Sequence, residues 1–189
     1  MKLILSKIKT YFGKLDKLLL FMCMGIACFA VFIQYTLYEN DISSAVTASQ
    51  YKTQIIAFIA GIVIAMALAA INYKYLAKLW FIYVPLAMGL TLLLFTPLGI
   101  QREGADDIGW LDLGIMTIQP SEILKLAFIL SLAVHLSKVE DRMNEPIHFI
   151  LLCIHGAIPT LLIRQTGDDG SALVFLFIFI CMMFAAGLS

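Results

Sequence analysis

Two segments of this 189-residue chain place charged side chains within largely apolar sequence, and both could do chemistry. The first contains Trp110 and, a little later, the run Gln-Pro-Ser-Glu-Ile-Leu-Lys that ends at Lys125. The second contains two adjacent carboxylates, Asp168 and Asp169. A charge in apolar, membrane-like surroundings is costly and is usually paired or functional. We therefore predict that Lys125 and Asp168 form an ion pair between two helices, which would fix a cleft open to one side.

Each of these features also has an ordinary structural explanation. Pro120 suits the first turn of a helix, where its missing N–H is not needed, and Glu122 in that turn is favoured by the helix dipole. Lys125 lies five residues after Pro120, roughly 7–8 Å along the helix. Its side chain can therefore extend to the membrane interface and pair with Glu122. Asp168 and its neighbour can simply cap the next helix.

The composition identifies the kind of protein that holds these residues. Hydrophobic residues make up 61% of the chain and charged residues 14%, and the mean hydropathy is +0.94. A soluble domain has roughly 45–50% apolar and about 25% charged residues. The composition excludes a secreted disulfide domain, a disordered tail and an ordinary cytosolic enzyme, and it predicts an all-α polytopic membrane protein. The cysteines lie in apolar runs without C-x-x-C spacing and are interpreted as packing residues: Cys23, Cys28, Cys153 and Cys181.

About 20 apolar residues cross a bilayer core, and six stretches of the chain are predicted to do so. The first three and the last carry no charged residue. The fourth contains Lys125 and His135, and the fifth contains His148, His155 and Pro159. The predicted spans of this single transmembrane domain are 18–38, 53–71, 79–98, 120–136, 147–163 and 171–189.

Lysine and arginine are enriched in cytoplasmic loops, and their distribution orients the spans. Nine of the 13 positive residues fall on one side, five in the N-terminal segment and two in each of the second and fourth connections. Lys52, Arg102 and Arg164 lie in the other connections. We therefore expect both termini to be cytoplasmic, with Trp110 and Asp168 on the outer side.

The connections expected outside are acidic, which does not suit binding of nucleic acid. Such a face is compatible with an anionic ligand bridged by a divalent metal ion, although solvation of the loops is the ordinary explanation. No residues are assigned as metal ligands. The acidic residues are Glu39, Asp41, Glu103, Asp106, Asp107, Asp112, Asp168 and Asp169.

Four motifs in fixed order resemble those of the SEDS family, the shape, elongation, division and sporulation proteins. They are Trp-Leu-Asp-Leu-Gly from Trp110, Gln-Pro-Ser-Glu-x-x-Lys from Gln119, Asp-x-Gly-Ser-Ala-Leu from Asp168, and a closing Ala-Gly-Leu-Ser. The second motif, following an outer loop that contains Trp-Leu, is the most specific of the four.

The resemblance implies a peptidoglycan glycosyltransferase that polymerises lipid II, an undecaprenyl-linked substrate, on the outer face of the bacterial cytoplasmic membrane. The process would serve cell shape, division or sporulation, with a class B penicillin-binding protein, a transpeptidase, as partner. Trp110, Lys125 and Asp168 match functionally important family positions, the last two as a salt-bridged pair. The resemblance also implies substrate-binding roles for Gln119, Pro120, Ser121, Glu122 and Gly170.

The chain departs from the family at several points. Gly109 stands where the family usually has Arg, and Gln165 is one position out of register with the glutamine that precedes the aspartate. The match spans only the N-terminal part of the longer family architecture, so we expect this chain to be incomplete. The carboxylate proposed as the family's catalytic base lies in a later outer loop.

Glycosyl transfer between lipid-linked sugars needs a base, positive charge near the leaving pyrophosphate, and a groove for two lipid tails. Trp110 would stack on a sugar or anchor its loop in the interface. Arg102, Arg164 or a divalent metal ion would meet the pyrophosphate. The base is unassigned, and Asp107 and Asp169 are guesses.

Two other functions stay open. A flippase or transporter for the lipid-linked precursor would also use intramembrane lysine and aspartate. A truncated, non-catalytic membrane partner of a penicillin-binding protein is the third interpretation.

Overall fold

The computed structural model describes residues 16–40, 48–71, 73–102, 104–114 and 117–188. Long apolar helices dominate this part of the chain, and a small sheet interrupts them. The helices are α1 Lys17–Glu39, α2 Ala48–Ala70, α3 Tyr73–Lys78, α4 Trp80–Leu92, α5 Pro120–Val139, α6 Pro146–Gln165 and α7 Asp169–Ala185. The strands are β1 Gly99–Ile100, β2 Trp110–Asp112 and β3 Thr117–Ile118, and short 3₁₀ turns cover Leu93–Phe95 and Glu140–Arg142.

Local chemistry explains where several helices begin. The Asp16 carboxylate accepts a hydrogen bond from the Leu19 N–H (3.0 Å) and caps α1. α5 and α6 each start with a proline, at positions 120 and 146, where no N–H is required. The Asp168 carboxylate accepts from the Ser171 N–H (2.7 Å) and caps α7.

The chain divides into two compact units, Met1–Asn72 and Tyr73–Ser189. In the first unit α1 contacts α2. Small residues such as Ala27 and Gly61 line the space between these two helices. Tyr51 lies against Tyr35 and stacks on Tyr38, with ring centroids 5.6 and 6.4 Å apart.

The second unit packs α5 against α4, α6 and α7. The rings of Phe128 on α5 and Phe175 on α7 lie 5.4 Å apart in its core. Gly156 lets α6 and α7 approach closely, because a Cβ added there would lie 2.6 Å from the Phe179 ring. Close approach at small residues is a usual way for helices to pack in membranes.

The segment between α4 and α5, here called the outer loop (residues 99–119), contains the three antiparallel strands in the order β1-β2-β3. Trp110 faces Ile100 in the ladder, and Leu111 lies between Gly99 and Ile118. Leu111 is fully buried and holds the sheet together. No periodic pattern in the sequence predicts this sheet, because each strand has only two or three residues.

The architecture is that of the predicted all-α membrane protein, and one α-helix overlaps each of the six predicted spans. Three helical segments of the described residues are long and apolar enough to cross a bilayer by themselves: Lys17–Glu39, Tyr51–Ala70 and Pro146–Gln165. Trp80–Phe95 and Asp169–Ala185 are shorter apolar helices. Many large apolar side chains on the helices are exposed, as a lipid-facing surface requires.

The helix over the third predicted span ends before the predicted boundary at residue 98. The helix gives way to a 3₁₀ turn that stops at Phe95, because Thr96 has extended backbone angles and its hydroxyl donates to the Leu93 carbonyl (2.6 Å). Gly99 then begins β1. Several predicted features lie outside the described residues: the lysines before Leu15, Asp41, Glu103 and the terminal Ser189.

Candidate active site

The outer loop presents an arginine stacked on a tryptophan. The Arg102 guanidinium carbon lies 3.5 Å from the centre of the Trp110 ring, well within the range of about 6 Å for a cation–π contact. Trp110 is half-buried and Arg102 is exposed. Separate roles were predicted for these two residues, Trp110 at a sugar and Arg102 at a pyrophosphate, and the structure brings them together. The Trp110 indole offers a flat surface on which a ligand ring can stack, and the Arg102 guanidinium places a positive charge beside it.

The outer loop is docked on the turn between α6 and α7. The Ile108 N–H donates a hydrogen bond to the Thr166 carbonyl (2.9 Å). Gly167 lies against the loop backbone, since a Cβ added to it would lie 3.3 Å from the Asp107 Cα. The two segments that the sequence analysis singled out are therefore in contact, as expected from their common side.

Gly167 makes this docking possible for two reasons. Its φ is +87°, a conformation that costs other residues roughly 1–2 kcal/mol, and the space for a side chain is filled by the loop. We predict that Gly167→Ala opens the contact, seen as faster amide hydrogen exchange at Ile108. Gly170→Ala is the matched control, because Gly170 lies in the first turn of α7 and an added Cβ makes only an ordinary 3.6 Å contact with Asp168. Equal exchange in both variants would contradict the role given to Gly167.

The turn itself holds the second set of predicted residues. Asp168 serves as the cap of α7 through its bond to the Ser171 N–H. Arg164 lies 3.6 Å from Asp169 (Nε to Oδ1), and both side chains are largely exposed, at 71% and 82%. Such an exposed ion pair contributes about 0–1 kcal/mol. Arg164 therefore remains accessible to an anion, and the ordinary capping explanation accounts for the present contact of Asp168.

The Gln-Pro-Ser-Glu motif forms the start of α5. Gln119 precedes the helix and makes no side-chain capping bond, and Pro120 is buried at the first position. Ser121 is 2% exposed, and its hydroxyl oxygen is buried without a hydrogen-bond partner. Glu122 is exposed. These four residues place an uncapped helix N-terminus directly after the outer loop.

Lys125 pairs with Glu122, which corrects the prediction of a Lys125–Asp168 ion pair. The Lys125 ammonium lies 2.7 Å from the Glu122 carboxylate, and the two side chains are 19% and 61% exposed. Among the described residues no ion pair joins Lys125 to Asp168. A partner three residues away on the same helix is always within reach, whereas Asp168 is held by its own capping bond. The alternative pairing with Glu122 is the one that the structure shows.

Gly109, where the resemblance leads us to expect arginine, is buried beside Asp107. A Cβ added at Gly109 would lie 2.5 Å from the Asp107 carboxylate and 3.9 Å from the Gln119 amide nitrogen. A side chain there would have to displace Asp107. The packing of Asp107 against Gly109 therefore leaves no space for an arginine side chain at this position.

The acidic residues do not gather into a metal centre in the part of the chain that the structure describes. No group of three or more His, Cys, Asp or Glu side chains there is placed to hold an ion. The described residues therefore do not form a protein ligand set for the divalent metal considered above.

One polar cluster was missed by the sequence analysis. The Ser131 hydroxyl lies 3.0 Å from His155 Nε2, and His155 Nδ1 lies 3.1 Å from His135 Nδ1. This chain of side chains joins α5 to α6 inside the second unit. Histidine within a membrane span is a reason to suspect function, and that signal was present at His135 and His155.

Comparison with known proteins identifies relatives over almost the whole chain. A family model described as cell cycle protein, for FtsW, RodA and SpoVE, matches residues 14–189. A "Probable peptidoglycan glycosyltransferase FtsW" of Geobacter sp. (strain M18) is 32% identical over 91% of this chain and 47% of its own length. The "Peptidoglycan glycosyltransferase RodA" of Treponema pallidum (strain Nichols) is 29% identical over 91% of this chain and 39% of its own length. The chain thus spans about half the length of the curated relatives it matches.

Solved structures share the fold. The crystal structure of the rod shape determining protein RodA of Thermus thermophilus matches with a TM-score of 0.67 and 25% identity, over 86% of this chain and 53% of the other. A chain from a peptidoglycan synthase complex matches with a TM-score of 0.71 and 22% identity, over 89% of this chain and 47% of the other. The second likeness establishes the fold alone.

Proposed function

This chain belongs to the FtsW, RodA and SpoVE family of cell cycle proteins and is a multi-pass protein of the bacterial cytoplasmic membrane, and from that premise we propose that it forms part of a peptidoglycan glycosyltransferase. Its substrate would be lipid II, polymerised on the outer face of the membrane in cell-wall synthesis. The observation that carries the proposal is the docking of the outer loop, with Arg102 on Trp110, onto the turn at Thr166 and Gly167.

In this proposal the residues act on different parts of the reaction. The acceptor hydroxyl attacks the anomeric carbon of the donor, the bond to the pyrophosphate breaks, and the hydroxyl proton passes to a base. Positive charge aimed at the departing pyrophosphate lowers the barrier, and Arg102, Arg164 and Lys125 supply cations on this side of the second unit. Trp110 would stack on a sugar face. No described residue is assigned as the base.

A divalent metal ion would bind here only together with the pyrophosphate of the substrate. Because the described residues offer no group of three ligands, the phosphate oxygens would have to supply much of its coordination. No step of the proposed reaction depends on the ion.

The proposed partner is a class B penicillin-binding protein. The support is the resemblance of the motifs and the assembly in which one chain of the same fold was solved, a peptidoglycan synthase complex that coordinates polymerization and crosslinking. Purification of this chain with a tagged penicillin-binding protein from the same cell would test the pairing.

The test of the activity is polymerisation of fluorescent lipid II in liposomes. The chain is reconstituted alone and together with a second polypeptide, the part of the Geobacter FtsW relative that lies beyond the matched half. We expect glycan polymer from the two-part mixture. The control is the Geobacter protein divided at the same point, and polymer from that control but not from this chain would contradict the proposal. Translocation of lipid II without any polymer would favour the flippase instead.

A further inference from the structure

Two cavities in the second unit meet at the Ser131–His155–His135 chain. The larger, about 410 Å³, lies between α4, α5 and α6, and apart from these three polar residues its wall is apolar. The smaller, about 240 Å³, is lined by the same three residues together with Trp80 and Lys138. Ligand sites are typically about 300–1,000 Å³, mostly apolar and furnished with a few placed polar groups. The larger cavity has these properties.

The α5 residues that line the cavities form one stripe graded in polarity. Leu124, Phe128, Ser131, His135 and Lys138 are spaced by four, three, four and three residues, and so they lie on one face of the helix. The stripe extends about 21 Å, from an aliphatic end near the outer loop to a cationic end at the last turn. Its order is hydrocarbon, hydroxyl, imidazole and ammonium.

The hydrogen-bonded chain of Ser131, His155 and His135 can bind either a donor or an acceptor group of a ligand. Ser131 lies within hydrogen-bond reach of both the Phe128 carbonyl (3.1 Å) and His155 Nε2. If Ser131 donates to His155, then His155 Nδ1–H donates to His135 Nδ1, and His135 Nε2–H is left to donate. If Ser131 donates to Phe128, the order reverses and His135 Nε2 accepts. His135 therefore offers one adaptable group beside the smaller cavity.

Lys138 supplies a positive charge that no carboxylate of the described residues neutralises through an ion pair. Its ammonium lies 5.9 Å from the centre of the Trp80 ring, and both side chains are exposed. Tryptophan is enriched at the interface of the bilayer, and basic pockets between helices on the cytoplasmic side bind anionic lipid headgroups. This end of α5 is the one that the charge distribution places in the cytoplasm.

We propose that this stripe is a binding site for an anionic phospholipid of the cytoplasmic leaflet. The phosphate binds at Lys138, an ester carbonyl accepts from His135 Nε2–H, and one acyl chain occupies the apolar cavity along Phe128 and Leu124. The order of groups in a glycerophospholipid matches the order of side chains along the stripe. The phosphate-binding end of the stripe, at Lys138, is at the opposite end of α5 from Gln119, so the headgroup does not compete for the cations of the proposed glycosyltransferase site.

Trp80 fluorescence tests the proposal directly. The chain contains two tryptophans, so the Trp110→Phe variant leaves Trp80 as the emitter. It is reconstituted in phosphatidylcholine vesicles that contain a minor amount of brominated phosphatidylglycerol or of brominated phosphatidylcholine. We expect phosphatidylglycerol to quench with about fivefold higher apparent affinity, the contribution of one cation near an anionic lipid.

Lys138→Met should abolish that preference, whereas Arg142→Gln should keep most of it. Arg142 lies in the next turn and carries the same charge but is not part of the stripe. Ile154→Phe, at an exposed residue of the cavity wall, should weaken quenching by filling space meant for the acyl chain. Equal quenching by the two lipids in the parent protein would overturn the site, as would an equal loss of preference in the Lys138 and Arg142 variants.

Discussion

Replacing Lys125 by methionine is expected to lower lipid II polymerisation in the two-part assay by about 100- to 1,000-fold. This is the usual cost of removing one group that stabilises developing charge in a transition state. The Lys125 side chain is only 19% exposed, so its ammonium is partly shielded from water and acts strongly on a nearby phosphate. Methionine keeps most of the aliphatic stem, and the rate of polymer formation is the measurement.

The loss should not come from unfolding. The Lys125–Glu122 pair joins residues three apart, and Glu122 is 61% exposed, so the pair contributes about 0–1 kcal/mol to stability. The thermal unfolding midpoint of the variant should therefore stay close to that of the parent. Arg142→Met, in the turn that follows the same helix, is the matched control and should retain the parent rate. Parent activity in the Lys125 variant would show that the lysine only extends to the interface and pairs with Glu122.

Replacing Leu111 by alanine is expected to disorder the outer loop and to lower polymerisation at least as strongly. Leu111 is the fully buried residue at the centre of the three strands. Truncation of a buried leucine costs about 2–5 kcal/mol, which is large for a sheet of two- and three-residue strands. Opening the sheet would release Trp110 from its place opposite Ile100 and separate it from Arg102.

Leu113→Ala is the matched control, because Leu113 belongs to the same loop but is 48% exposed. Hydrogen exchange over the outer loop and the polymerisation rate should change in the Leu111 variant and remain near parent values in the Leu113 variant. Circular dichroism should show the helices intact in both. If the Leu111 variant keeps a protected loop and full activity, the sheet does not position the site.

The His135–His155 contact joins two residues whose types are visible in the sequence but whose pairing is not. Both residues lie within predicted spans, His135 in the fourth and His155 in the fifth. Whether they face lipid, each other or a cavity depends on how α5 and α6 are rotated about their axes. That rotation is decided by packing, including the contact between Phe128 and Phe175, and no local pattern reports it.

The sequence by itself determined the membrane class, the helices over the six spans and the family. These features depend on short stretches of sequence. A membrane crossing needs about 20 consecutive apolar residues, and a motif is recognised from neighbouring residues alone. Only the tertiary structure decided the partners of the charged and polar side chains. Lys125 forms its ion pair with Glu122 and not with Asp168, and Arg102 stacks on Trp110. The outer loop is hydrogen-bonded to the Thr166 carbonyl through the Ile108 N–H. The physical reason is that hydropathy acts on each segment separately, whereas a hydrogen bond or ion pair depends on distances between segments that only packing sets.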